Sequence, residues 1–331
     1  MMKKVLILVM AILAAGAMVG CGKSVESKEE TLKVALAIPG SKTDGGWSQT
    51  AYEGLLQIED KLGAEITFHE NTQVSDNERV LRDYAKAGND IVIGHGFQFG
   101  DAALAVAKEF PKTQFIVTST NVTNNTNLSS VTNDYIQAGF LQGAFAALMS
   151  KSGTVGAIAG LNIPSVTGAV DGFELGAKYI NPKIKVVSAC IETGDDVNKA
   201  KEQALTFIAQ GSDIIMANAN AAANGVYLAA EEKGIYSLAS IAAQYDKFEK
   251  SMIGLGKQDM STAIFEMVKQ IEEQGSNYKA GYQEMGVKEG IVGFSLNPKL
   301  TNKVPSEIID KMVDLEKKIA SGEIDVKALA K

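Results

Sequence analysis

Short apolar runs alternate with amphipathic segments along the chain from residue 32 onward. The first run, residues 34–38 (VALAI), is short and ends at a Pro-Gly pair, which is typical of a buried strand. After a polar loop, a segment with a predicted capping box at Thr50 and Glu53 has its apolar residues on one helical face. Those residues are Ala51, Leu55, Ile58 and Leu62. Further strand–helix units follow, and this alternation predicts a doubly wound parallel α/β sheet.

The second half of the chain repeats the order of the first half. Residues 51–55 (AYEGL) match 169–173 (AVDGF), and residues 88–93 (GNDIVI) match 211–216 (GSDIIM). Because the order and the offset are nearly preserved, we predict two parallel-sheet lobes of the same topology, joined by a hinge. Ligands of such sheets bind beyond the carboxyl ends of the strands, and sites concentrate between domains. We therefore expect a ligand in the cleft between the lobes.

The order of the elements sets the expected boundaries of the lobes. The chain is expected to return from the second lobe near residues 239–244 and to cross again near 281–291. The expected parts are lobe 1 at residues 32–132 plus 253–281, lobe 2 at 133–252 plus 282–300, and a C-terminal helix at 301–331.

The N-terminus has the features of a bacterial export signal. Two lysines precede an apolar run at residues 5–19 that is short for a membrane-spanning helix and ends just before Cys21. This end resembles a lipobox, so residues 1–21 are predicted to be a lipoprotein signal peptide and Cys21 the acylated residue. Residues 22–31 are polar, as expected of a tether. The alternative is an uncleaved anchor with an incidental cysteine.

Composition narrows the possible functions. The net charge of -7 argues against a nucleic-acid partner. The chain has two histidines, and no His/Cys/carboxylate cluster has the spacing of a metal site, so we expect neither a metal nor a cofactor. The sequence likewise has few residues that could form a Ser/His/Asp or Cys/His catalytic group. The sequence therefore favours a binding protein over an enzyme.

Several motifs occur in a fixed order along the chain. They are the strand at 34–38, DGGWS at 44–48, GHGFQF at 94–99, KSGTVG at 151–156 and GSDIIM at 211–216. Together they resemble the basic membrane protein family of ABC-transporter solute-binding lipoproteins, over essentially the whole mature chain. The resemblance implies a type I periplasmic-binding-protein fold, held by lipid on the extracytoplasmic face of a bacterial cell membrane. It also implies delivery of purine nucleosides or related purines to ABC permease subunits.

Two departures from the family pattern bear on the ligand. Trp47-Ser48 stands where many nucleoside-binding members have Phe-Asn, and it resembles the branch associated with free purine bases such as adenine. Residues 239–244 (ASIAAQ) lack the carboxylate that holds ribose hydroxyls in nucleoside binders. We therefore expect a purine base or a related planar ring. The alternatives are a purine nucleoside, a sugar, or a surface antigen or interaction lipoprotein without a transport role.

Three aromatic residues are candidates for stacking on such a ring. Trp47 lies in the loop after the first strand, where the indole can stack on a base, although it can also pack on its own helix start. Phe97 and Phe99 alternate, so only one of them readily faces the cleft.

Six polar residues complete the candidate site. Carboxylate and amide groups suit the donors and acceptors of a purine edge, and an ammonium group can reach the mouth of the cleft. The six are Asp44, Asn133, Asp134, Asn218, Asn220 and Lys257. Four of the six have a structural alternative: a turn or helix entry for Asp44, helix capping for Asn133 and Asp134, and an ion pair with Asp259 for Lys257.

Overall fold

The computed structural model describes residues 31–240 and 244–329. The predicted signal peptide, the lipobox Cys21 and tether residues 22–30 lie outside the described residues. The strands are β1 (Lys33–Ala37), β2 (Glu65–His69), β3 (Ile91–Gly94), β4 (Gln114–Thr118), β5 (Leu128–Asn133), β6 (Thr154–Ala159), β7 (Lys185–Cys190), β8 (Ile214–Asn218), β9 (Tyr236–Ala239), β10 (Met252–Gln258), β11 (Tyr282–Met285) and β12 (Val292–Leu296). The α-helices are α1 (Trp47–Leu62), α2 (Asn77–Lys86), α3 (Gly100–Glu109), α4 (Tyr135–Met149), α5 (Pro164–Ile180), α6 (Val197–Ala209), α7 (Ala223–Lys233), α8 (Met260–Gln274), α9 (Ser306–Ser321) and α10 (Val326–Leu329).

The first lobe is a parallel six-stranded sheet in the order β11-β5-β4-β3-β1-β2. Successive side chains of a strand point to opposite faces of the sheet. Helices cover both faces, so side chains on both faces are buried and apolar. On one face, Val34 and Leu36 pack with residues of α1 and α8. On the other face, Ala35 and Ala37 pack with residues of α2 and α3. This arrangement explains why the strands read as continuous apolar runs.

The second lobe repeats this plan with the strand order β12-β10-β9-β8-β6-β7, in which only β12 is antiparallel to its neighbour. Helices α4 and α5 cover one face of the sheet, and α6 and α7 cover the other. The first pair approaches backbone to backbone, because a Cβ placed on Gly139 would lie 1.9 Å from the carbonyl oxygen of Ala169. Helices α9 and α10 pack beside α4 on the outside of this lobe.

The fold class of two wound α/β lobes is confirmed, but the predicted lobe boundaries were wrong in two places. Strand β10 pairs with β9 and β12, so it belongs to the second lobe instead of the first. The predicted return crossing near residues 239–244 was wrong, because β9 ends at Ala239 in the second lobe's sheet and Phe248 packs in the core of the same lobe. The return crossing lies at Gln258–Asp259 instead, since α8 packs on α1. Strand β11, predicted in lobe 2, pairs with β5 in lobe 1.

Candidate ligand-binding cleft

A cavity of about 470 Å³ lies between the two lobes. Lobe 1 contributes the loops that follow β1, β3 and β4, and lobe 2 contributes the loops that follow β6, β7 and β8. The carboxyl ends of parallel strands meet at one edge of each sheet, so the two lobes present their loops to the same space. Small-molecule sites commonly have volumes of about 300–1,000 Å³, and this cavity falls within that range.

Trp47 is the first residue of α1, and its half-buried side chain lines the cavity. The indole stacks on the imidazole of His95, with 4.1 Å between ring centroids and 30° between the ring planes. The chain's single Trp therefore lies in the wall of the inter-lobe cavity while also packing on the core of lobe 1. Its contact with a ligand stays a prediction.

His95 is fully buried at the end of β3, beneath Trp47. Its Nε2 lies 3.0 Å from the Trp47 carbonyl oxygen, and its Nδ1 lies 2.9 Å from Thr118 Oγ1. Burial lowers the pKa of His95 to about 4, so the imidazole is neutral near pH 7. His95 was not among the residues predicted from the sequence, although its position between two glycines directly after a buried strand was an available signal.

Phe97 and Phe99 occupy a single 3-10 turn but have opposite environments. Phe97 is 51% exposed and lines the cavity, whereas Phe99 is fully buried among the core residues of lobe 1. The assignment of Phe99 to the ligand site was wrong. Gly94 makes room for the Phe99 ring, since a Cβ at Gly94 would lie 2.7 Å from Phe99 Cβ.

Two buried amides lie in the wall of the cavity. Asn218 ends β8, is 4% exposed, and its Nδ2 has no hydrogen-bond partner among the described residues. Gln258 ends β10 at the crossing between lobes, and its Nε2 is likewise buried without a partner in the described chain. A buried amide without a partner costs about 1–3 kcal/mol, which a bound ligand's polar edge would offset. Gln258 was not among the site residues predicted from the sequence.

Asp44 caps a helix and lies outside the main cavity. Its carboxylate oxygens accept hydrogen bonds from the backbone N–H groups of Gly46, Ser48 and Gln49 at 2.8, 3.0 and 3.1 Å. The predicted capping box at Thr50 was therefore wrong, because α1 begins three residues earlier at Trp47. Asp44 lines only a smaller cavity of about 30 Å³.

Asn220 lies where the two lobes touch. It has a left-handed backbone with φ of 45° and lines both the main and the smaller cavity. A Cβ placed on Gly46 of the first lobe would lie 2.7 Å from Asn220 Oδ1. The lobes are therefore in close contact beside the cavity, and glycine at position 46 permits that approach.

The remaining predicted contacts lie away from the cavity. Asn133 is buried at the end of β5, and neither polar atom of its side chain has a partner among the described residues. Asp134 caps α4 through the Gln137 N–H at 2.9 Å and pairs with Lys327 at 3.4 Å. Lys257 donates to the Gly290 carbonyl oxygen at 3.0 Å and pairs with Asp259 at 3.3 Å. Asp134 is therefore a helix-capping residue and Lys257 forms an ion pair, as in the structural alternatives given for them.

The described residues contain no cluster of three or more His, Cys, Asp or Glu side chains that could hold a metal ion. Within residues 31–240 and 244–329, none of the helices has the length and apolar character needed to span a bilayer. The cavity wall also includes one carboxylate that was not predicted from the sequence, the exposed Asp195 in the loop after β7.

Comparison with known proteins agrees with this architecture. A purine-binding protein of Brucella abortus (strain 2308) is 28% identical over 312 residues, which cover 90% of this chain and 83% of that protein. The transcriptional activator protein Med of Bacillus subtilis (strain 168) is 26% identical over 281 residues, covering 82% and 87%. The crystal structure of an ABC transporter solute-binding protein from Aeropyrum pernix K1 superimposes with a TM-score of 0.77 at 20% identity, covering 89% and 92%.

The family model for PnrA-like ABC transporter substrate-binding proteins matches residues 31–330. That match spans both lobes and the C-terminal helices, and it confirms the resemblance described from the motifs. Proteins of this family bind solutes for ABC transporters and are not enzymes. The chain belongs to the Bmp family of PnrA-like ABC transporter substrate-binding proteins.

Proposed function

We propose that this protein binds a purine base in the inter-lobe cavity and delivers it to the permease subunits of an ABC importer. The observation that carries the proposal is the Trp47 indole, which lines the cavity and rests on the buried His95 ring. A flat heterocycle matches such a surface, and base–aromatic stacking contributes roughly 1–3 kcal/mol. The purine-binding relative from Brucella abortus supports the same class of ligand.

The polar groups of the cavity suit a ring with several donors and acceptors. Asn218 and Gln258 each offer an amide whose buried nitrogen has no partner in the described chain. An amide group pairs with an adjacent donor and acceptor on a purine edge. Stacking by Trp47 and edge contacts from these amides together favour a purine over an aliphatic solute.

Binding would act by closing the hinge. Trp47 and Phe97 come from lobe 1, while Asn218 comes from lobe 2, so one ligand contacts both lobes only when they are together. A ligand shifts a conformational equilibrium by its differential affinity for the two states. The contact between Gly46 and Asn220 would form in the same closure, and the permease would recognise the closed form.

A purine nucleoside is the second candidate ligand. Asp195 and Thr193 both line the cavity, and a carboxylate beside a hydroxyl can hold ribose hydroxyl groups. Against this, residues 239–244 contain no carboxylate. Calorimetric titrations with adenine, hypoxanthine and guanine, each paired with its nucleoside, separate the two ligand classes.

Native preparation followed by mass spectrometry tests the proposal without a choice of ligand. A purine base released on denaturation supports the proposal, whereas release of a nucleoside or a sugar would identify that molecule as the ligand instead. If neither the preparation nor the titrations yield a cleft ligand, a surface antigen or interaction lipoprotein without a transport role becomes the better account.

We also propose that the mature protein is anchored by lipid at Cys21 on the extracytoplasmic face of the cell membrane. The support is the sequence alone: an apolar run at 5–19, small residues before Cys21, and a polar segment at 22–31. In a bacterial host, the Cys21→Ser variant is expected to lose labelling by a fatty-acid analogue and to leave the membrane fraction. Unchanged labelling would contradict the assignment.

A further inference from the structure

We propose that His95 is a positioning residue of the ligand site, which holds the Trp47 indole in the orientation that receives the ligand ring. The proposal rests on the proposed function, because it concerns the same cavity. It assigns His95 no direct contact with the ligand, since the imidazole is fully buried.

The hydrogen bonds around His95 determine its tautomer. The Trp47 carbonyl oxygen is only an acceptor, so Nε2 of His95 carries the proton and donates to it. Nδ1 is then an acceptor, and the Thr118 hydroxyl donates a hydrogen bond to it. Thr118 Oγ1 in turn accepts from the Gly96 N–H at 2.8 Å. Every polar atom in this chain of bonds has a partner when the imidazole is neutral.

The same ring also restrains the indole. His95 lies against one face of Trp47 with ring centroids 4.1 Å apart, while the Trp47 side chain borders the cavity. The position of His95 is itself fixed, because its backbone N–H donates to the Ala37 carbonyl oxygen of β1. The imidazole thus fixes both the backbone at the start of α1 and the plane of the indole.

Fixing the indole before the ligand arrives favours binding. A side chain that is already ordered loses less conformational freedom when a ligand immobilises it. Gly94 and Gly96 flank His95, and Gly96 has φ of 114°, so the backbone here takes a path suited to glycine. That path places the imidazole beneath the indole.

A double-mutant cycle tests whether His95 acts through Trp47. The variants are His95→Gln, Trp47→Ala and the pair, with affinity for the best-binding purine base measured by calorimetry. Gln retains an amide that can donate to the Trp47 carbonyl but lacks the ring. If His95 acts through Trp47, we expect His95→Gln to lower the affinity about fivefold in the parent protein. In the Trp47→Ala background we expect the same change to lower the affinity by less than about twofold.

Fluorescence of the ligand-free protein provides a second readout. Trp47 is the chain's only tryptophan, so its emission reports this site alone. His95→Gln is expected to make Trp47 more accessible to acrylamide and to shift its emission to longer wavelength. His69→Gln, at the chain's other histidine, is the matched control and is expected to leave both quantities unchanged.

Equal affinity losses for His95→Gln in both backgrounds, or unchanged acrylamide quenching, would overturn the proposal. If no purine binds, the proposed function fails while the ligand-free quenching still decides the role of His95. If His95→Gln does not fold, Thr118→Val replaces it, because that change removes the hydroxyl that donates to Nδ1 and leaves the imidazole in place.

Discussion

Trp47→Ala removes the aromatic surface on which the proposed site depends. The indole lines the inter-lobe cavity, and its loss leaves the remaining aromatic lining to Phe97, to Tyr135 and to whatever part of His95 the change exposes. Trp47→Phe is the matched control, since it keeps a ring at the same position with a smaller face. Trp47 is half-buried, so neither change should prevent folding, which circular dichroism checks.

The size of the effect follows from the stacking contribution. Base–aromatic stacking contributes roughly 1–3 kcal/mol, which corresponds to an affinity loss of about 5- to 150-fold. Because the substitution also removes an anchored side chain that needs little ordering, we expect a loss of at least about tenfold for Trp47→Ala. For Trp47→Phe we expect a loss of less than about fivefold, since stacking persists in part.

Isothermal titration calorimetry with adenine, hypoxanthine and guanine measures these losses directly. The base with the highest affinity for the parent protein is then titrated into both variants under the same buffer conditions. Unchanged affinity in Trp47→Ala would remove Trp47 from the site and with it the main support for a planar ligand.

Three further predictions follow from the described contacts. Burial lowers the pKa of His95 from 6.5 to about 4, so the unfolded state binds more protons in that window; about 3 kcal/mol of stability, fully present above pH 6.5, is lost as the pH falls to 4. Urea unfolding across this range measures the slope, and His95→Gln should flatten it. Phe99→Ala should lower the free energy of unfolding by about 3–5 kcal/mol, whereas Phe97→Ala should change it little and instead weaken ligand binding; the reverse pattern would contradict their placement. Lys327→Met removes the cation that pairs with the buried Asp134 and with Glu284, and chemical denaturation should show a loss of about 1 kcal/mol in the free energy of unfolding that shrinks at high salt.

The local pattern of apolar and polar residues was sufficient to predict that each lobe is a wound α/β sheet. It was not sufficient to predict which strands belong to which lobe. Apolar runs such as 34–38 are buried on both faces of a parallel sheet, so they are recognisable without tertiary information. Strand β10 reads just as clearly as a strand, yet its sheet depends on the chain turning back at Phe248. That long-range packing leaves no periodic signal, and the predicted return crossing was wrong for this reason.

The same limit applies to the candidate site. Trp47 was identifiable because a lone indole follows the first strand, where α/β sheets bind ligands. Phe97 and Phe99 are identical residues two positions apart, and only the geometry of a 3-10 turn separates the cavity from the core. Asp44 satisfies helix N–H groups, an alternative already evident for an Asp before a helix. Gln258 was missed because its position depends on the sheet that β10 joins.

The emission of Trp47 during a titration with purine bases tests the central claim most directly, because this residue is the chain's only tryptophan. The account predicts a saturable change in emission whose midpoint matches the calorimetric affinity for the same base. Calorimetric binding of a base with no change in Trp47 emission would contradict the claim that the indole holds the ligand ring between the two lobes.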